Sequence, residues 1–121
     1  MNITKKLLKL FEKKSVVLIA DDDEDLAEMT KEILQDELDC EIILCTKIQN
    51  LDDHIGKVDV VLLDSFYGKA DPFIKKFQSR GAKVFAYTGG DINKDLENVY
   101  DGIFPKPCEV DKMAKEIKKY I

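Results

Sequence analysis

Five acidic residues follow one another from Asp21 to Asp25, directly after the apolar run Val16–Ala20. Asp64 closes a second apolar run, VVLL; Thr88 closes a third, KVFAYT; and Lys106 follows a fourth, GIFP. One polar side chain of a reactive type thus stands at the end of each run. Clustered carboxylates destabilise one another unless a cation joins them. Oxygen ligands from one or two carboxylates, with waters retained, suit Mg²⁺. The chemistry open to this set is therefore the binding of a hard divalent cation beside a hydroxyl and an amine.

Convergence of these residues depends on the elements that carry them. Apolar, β-branched runs occur at Val16–Ala20, Glu41–Cys45, Val58–Leu63 and Lys83–Thr88, with a weaker one at Gly102–Pro105. The near-continuous apolar character of the first, third and fourth predicts strands covered on both faces. Between them, Leu26, Met29, Ile33, Leu34 and Leu38 predict one helical face, Phe73 and Phe77 are four apart, and Val110, Met113, Ala114 and Ile117 form a closing stripe. Leu51–Ile55 and Ile92–Val99 predict shorter, weaker helices. Parallel neighbours need crossover connections, so the alternation predicts an α/β fold: a doubly wound, five-stranded parallel sheet of order 2-1-3-4-5, flavodoxin-like, with helices on both faces. In such sheets ligands gather at the carboxyl edge of the strands. That edge would bring Asp21, Asp22 and Asp64 together, with Asp22 and Asp23 as the pair if the first strand runs one residue longer.

At these positions the sequence resembles the receiver domain of two-component response regulators, over about residues 15 to 121. The resemblance rests on the acids of LIADDDED, the aspartate of VDVVLLD, the hydroxyl residue of VFAYTGG and the Lys-Pro step of FPKP. It implies that Asp64 is the phosphoacceptor, and that Asp21, Asp22 and Asp64 hold Mg²⁺ with the backbone carbonyl of Phe66. It also implies that Thr88 and Lys106 contact the phosphoryl oxygens. Phosphoryl transfer asks chiefly for positioning and charge neutralisation, which a carboxylate nucleophile, a metal and an ammonium supply. The small Gly89 and Gly90 leave room for a donor. The implied partners are a histidine kinase or histidine phosphotransfer protein and a downstream protein, with a homodimer as one form of output. No catalysis beyond its own phosphoryl transfer and slow dephosphorylation is implied. The other reading is a receiver-like docking module that works without phosphorylation.

Several residues depart from the family pattern. Gly68 stands where a proline is usual, and Cys108 where an aromatic is common. The aromatic switch residue expected three places before the lysine is Ile103; Tyr100 and Phe104 are near but out of register, so the switch region is assigned to Ile103 and Tyr100. Phe66 and Gly90, two places past Asp64 and Thr88, carry no polar group to orient an attacking water, which predicts slow self-dephosphorylation.

Competing readings of the acids are weaker. One of Asp22, Asp23 or Glu24 is expected to cap the following helix, but five acids exceed what a cap needs. Asp21, Asp23, Asp25 and Glu32 match places one, three, five and twelve of a calcium-binding EF-hand loop, yet Leu26 stands where that loop needs glycine. An aspartyl phosphohydrolase of the haloacid dehalogenase type wants a second acid at Phe66.

Charge and composition narrow the class. The 121 residues are 45% hydrophobic, enough for one compact domain. Residues 1 to 15 carry a net charge of +4, and with −5 overall the rest carries −9, which argues against direct nucleic-acid binding. No run approaches a membrane span or a secretory signal, so a cytoplasmic protein is expected. Cys40, Cys45 and Cys108 are three, have no Cys-x-x-Cys spacing and lie far from the single His54, which indicates reduced thiols and neither disulfides nor zinc. The lysines of the last helix, Lys112, Lys115, Lys118 and Lys119, read as a solvated face. In residues 1–14, Ile3, Leu7, Leu10 and Phe11 lie on one face of a basic amphipathic helix, which precedes the receiver domain of residues 15–121 and is too short to stand alone. The end at Ile121 coincides with the end of a receiver's last helix, giving the expectation of a single-domain regulator, with an excised receiver as the other possibility.

Overall fold

Five apolar runs become five parallel strands: β1 Val16–Ala20, β2 Glu41–Cys45, β3 Val60–Leu63, β4 Lys83–Thr88 and β5 Gly102–Pro105. They form one sheet of order β2-β1-β3-β4-β5. A computed structural model describes residues 14–90, 92–106 and 110–121, so the expected helix at residues 1–14 and Cys108 lie outside the described residues, except for Lys14 itself. Three α-helices are present among the described residues: α1 Glu24–Glu37, α2 Asp71–Gln78 and α3 Val110–Ile117.

Because side chains alternate along a strand, each strand supplies both faces of the sheet. Val16, Leu18, Ala20, Val61, Leu63, Val84 and Ala86 face one core layer, closed by Leu51, Phe66, Ala70, Ile74 and Phe77. Val17, Ile19, Val60, Leu62, Phe85 and Tyr87 face the other, closed by Ala27 and Leu34 of α1 and by Met113, Ala114 and Ile117 of α3. Every residue of β1 and β3 is buried, as their unbroken apolar runs predict. The sheet therefore has covered faces, and only its strand ends offer polar groups to a ligand.

Four expectations change in detail. The third strand begins at Val60 and not at Val58, which is buried but precedes the ladder. The segment around Leu51–Ile55 is a 3₁₀ helix, Ile48–His54, and that around Ile92–Val99 holds only the 3₁₀ turn Lys94–Leu96. Asn93 accepts from the N–H of Asp95 through its side chain, an Asx-type cap that starts the short turn. On α1 the buried stripe is Ala27, Thr30 and Leu34, while Met29 and Ile33 are 54% and 39% exposed. Thr30 goes inward because its hydroxyl lies 3.4 Å from the Tyr87 hydroxyl, so the two buried polar groups satisfy each other.

Candidate functional site

Strand register sets the site. β1 and β3 pair from Val17↔Val60 to Ala20↔Leu63, so the chain leaves both strands at the same level. The N–H of Asp64 continues the ladder by donating to the Ala20 carbonyl at 2.9 Å, and the N–H of Asp21 donates to the Cys45 carbonyl at 3.0 Å. Asp21 and Asp64 thus stand side by side at the carboxyl edge. Carboxylate oxygens of Asp21, Asp22 and Asp64 all lie within 4.8 Å of one another. Asp23 instead caps α1, accepting from the N–H of Leu26 at 3.1 Å.

Lys106, delivered from the next-but-one strand end, closes the cluster. Its N–H donates to the Thr88 carbonyl at 3.2 Å, which fixes the turn out of β5. Its ammonium forms an ion pair with Asp21 and stands 3.5 Å from Oδ1 of Asp64. The ammonium also lies over the Tyr87 ring, with Nζ 5.0 Å from its centroid. Thr88 is buried, and its hydroxyl oxygen accepts from the N–H of Gly90 at 3.2 Å.

Electrostatics follow from depth. Asp21 is 1% exposed. Burial raises its pKa above the ordinary carboxylate value, against the pull of Lys106 and of the Asp23 N–H, which donates to Oδ1 at 3.0 Å. Burial works against the Lys106 charge, but its hydrogen bond and proximity to Asp21, with Asp64 beyond, win and raise its pKa. Lys106 is therefore held as a cation against two carboxylates. Together Asp21, Asp22, Asp64, Thr88, Lys106 and the two glycines line a cavity of about 450 Å³, open to solvent.

The loop after Asp64 is wound tightly. Phe66, Tyr67 and Gly68 all have positive φ, at 51°, 58° and 85°. Phe66 is buried in the core, whereas Tyr67 is 93% exposed beside the cavity. The N–H of Phe66 donates to Oδ2 of Asp64 at 3.0 Å, orienting the carboxylate. The Phe66 carbonyl, the expected backbone ligand, accepts from the N–H of Lys69 at 3.2 Å, and Phe66 is not among the residues lining the cavity. Gly68 explains its own departure from proline: φ of +85° is outside proline's fixed range.

The two switch-region residues separate. Ile103, on the edge strand β5, is 41% exposed. Tyr100 is buried and lines a neighbouring cavity of about 430 Å³ with Ser65, Gly68, Asp71, Ile92 and Asn93. Desolvation, with Asp71 and Asp64 nearby, pushes its phenol up to about 12. Tyr87 was not singled out from sequence, although its alternation with Phe85 along KVFAYT places both on the α1–α3 side of the sheet. Cys40 and Cys45 are free thiols. No helix among the described residues is long and apolar enough to cross a membrane.

No family model matches this chain, and no curated protein matches it in sequence. Solved structures do. A response regulator receiver domain protein from Methanospirillum hungatei aligns with a TM-score of 0.75 at 22% identity, covering 88% of this chain and 93% of that one. A two-component response regulator from Clostridium difficile gives 0.75 at 19% identity, covering 88% and 94%. A response regulator from Burkholderia pseudomallei, described with a phosphorylated aspartic acid, a calcium ion and citrate, gives 0.68 at 17% identity over 87% and 71%. The fold of this chain is the one those receiver domains share.

Proposed function

We propose that this chain, having the fold of response-regulator receivers, accepts a phosphoryl group on Asp64 from a histidine kinase or histidine phosphotransfer protein and passes the signal on through protein contacts. The observation that carries the reading is the meeting of Asp21, Asp22, Asp64 and Lys106, with Thr88, in one cavity at the strand ends. In the transfer a carboxylate oxygen of Asp64 forms a bond to phosphorus, the bond from phosphorus to the donor imidazole nitrogen breaks, and that nitrogen keeps the electron pair. Lys106 neutralises charge on the phosphoryl oxygens, the Phe66 N–H holds the acceptor carboxylate in place, and the Thr88 hydroxyl, which accepts from the Gly90 N–H, has its own O–H to donate.

The donor set fits Mg²⁺: three carboxylates supply hard oxygens at close range, and the open cavity leaves room for waters. When bound, the ion would draw charge from the phosphoryl oxygens. Asp21, Asp22 and Asp64 would hold it; the Phe66 carbonyl, which accepts from Lys69 and does not line the cavity, would have to reorient to join them.

A direct test is the intact mass after incubation with acetyl phosphate, with and without Mg²⁺, for the native protein and Asp64→Asn. One added phosphoryl group that requires both Mg²⁺ and Asp64 is expected; no added mass while Mg²⁺ binds overturns the reading. Phe66 turns its side chain into the core and Gly90 has none, so neither can orient a hydrolytic water, and the phosphoryl group should be long-lived. A lifetime of seconds in the purified protein counts against that. A docking module independent of phosphorylation is the second reading, favoured by the exposed Ile103 and by the 3₁₀ turn where a fourth helix was expected. Partner affinity unchanged by Asp64→Asn would identify it.

A further inference from the structure

A second cleft lies at the opposite edge of the sheet, where the strands begin. It holds about 310 Å³, and its charged lining is Lys14, Lys57, Asp59 and Arg80, two charges in excess on the positive side. The one carboxylate is already engaged, because Oδ2 of Asp59 accepts from the N–H of Val16 at 2.8 Å and fixes the start of β1. Lys14 stands 3.6 Å from Asp39 with both side chains largely exposed, a pairing that water weakens and a ligand can displace. Among the described residues the side chains of Lys57 and Arg80 have no ion pair and no hydrogen bond.

Arg80 is exposed and lies against the glycine turn: a Cβ on Gly56 would lie 2.8 Å from Nη2 of Arg80 and 3.0 Å from its Cζ, so the guanidinium occupies space that a side chain at position 56 would contest. Gly56 also has φ of +81°, which glycine adopts at no steric cost. The planar fork of Arg80 suits the tetrahedral oxygens of phosphate, and the neighbouring ammonium groups add charge without directional demand.

We propose that the cleft between Gly56 and Arg80 is a binding site for a phosphate group carried by a small solute, with Arg80 as the fork and Lys57 and Lys14 as neutralising charges. The site is independent of the chemistry proposed for Asp64, which lies at the other end of the strands. It gives an otherwise acidic molecule a local excess of positive charge.

Amide NMR of the full chain tests it, with inorganic phosphate in one titration and glycerol phosphate in another, at fixed ionic strength in EDTA. Saturable shifts at the amides of Gly56, Lys57 and Gly81 are expected with at least one of the two probes, and the difference between the probes tells free phosphate from an organic monoester. Arg80→Gln, an exposed substitution, should weaken binding about tenfold, as expected for losing charged hydrogen bonds. Gly56→Ala, which keeps every charge but displaces the guanidinium, should weaken it as well. Shifts reproduced by sodium chloride, saturation confined to Gly89 and Gly90 at the other edge, or an affinity unchanged by Arg80→Gln would each overturn the proposal.

Discussion

Taking the ammonium away from Lys106 would leave the Asp21 carboxylate, 1% exposed, without its principal counter-charge. Losing one partner of a buried pair costs more than the pair itself contributes. Lys106→Met keeps an unbranched apolar side chain and removes the charge, so the expected loss is about 1–3 kcal/mol at neutral pH in EDTA, moderated by protonation of Asp21. The sign with pH is fixed. Asp21 already titrates above its ordinary value, so its contribution is full below that value and is lost as pH rises through the raised one. Without Lys106 the upward shift grows, and the deficit of the variant should narrow as pH falls; urea denaturation at several pH values checks this. Tyr100 gives a second prediction of the same kind. Its phenol titrates at about 12 against an ordinary 10.0, so folding stability of roughly 2–3 kcal/mol should be lost between these pH values as the tyrosine ionises. Ultraviolet titration of native protein and Tyr100→Phe should show one late phenol disappear, and Asp71→Asn should bring the late midpoint down.

Between residues and fold stand the elements, and here the strands were legible as apolar runs. β1, β2, β4 and β5 have the bounds that their runs predict; two-sided burial accounts for β1 and β4, whereas β2 and β5 are the partly exposed edge strands. Val58 is buried but precedes β3, so hydrophobicity alone placed that strand two residues too early. The buried face of α1 is set by a polar pair: Thr30 takes a core place through its contact with Tyr87, a partner 57 residues away that periodicity cannot show, and Met29 and Ile33 turn outward. The carboxylate cluster was legible because the apolar runs of β1 and β3 each end in an aspartate, and parallel neighbours bring those ends to one edge. The loop that orients Asp64 was not, since nothing in DSFYGKADP announces two non-glycine residues at positive φ. That loop also yields a prediction. Gly68, standing where a proline is usual, is what the turn requires at φ +85°, with Asp71 donating its N–H back to the Gly68 carbonyl at 3.3 Å. Gly68→Ala should cost about 1 kcal/mol, and Gly68→Pro, restoring the residue usual in receivers, about 3 kcal/mol or more. Thermal denaturation ranks the three, and a proline variant as stable as the native protein would refute this account of the loop.

At the scale of the whole molecule the charge is divided, with the carboxylate cluster at one edge of the sheet and Lys14, Lys57 and Arg80 at the other. A ligand that binds only the folded state stabilises it in proportion to the logarithm of its concentration. Mg²⁺ at ten times its Kd should therefore add about 1.4 kcal/mol, or roughly 4–8 °C in Tm for a domain of this size. The three carboxylates should divide this effect unequally. Asp22 is exposed, so Asp22→Asn should leave Tm in EDTA nearly unchanged while removing most of the response to Mg²⁺. Asp21→Asn also frees Lys106 from its pair and should lower Tm in EDTA as well. Lys106→Met should do the opposite to the metal response: with no ammonium competing for Asp21 and Asp64, the stabilisation by a given Mg²⁺ concentration should exceed that of the native protein. Thermal scans of the four proteins across a Mg²⁺ series separate these patterns. Equal metal responses in all four would mean that the ion acts by screening the acidic body and that the cluster at the strand ends does not hold it.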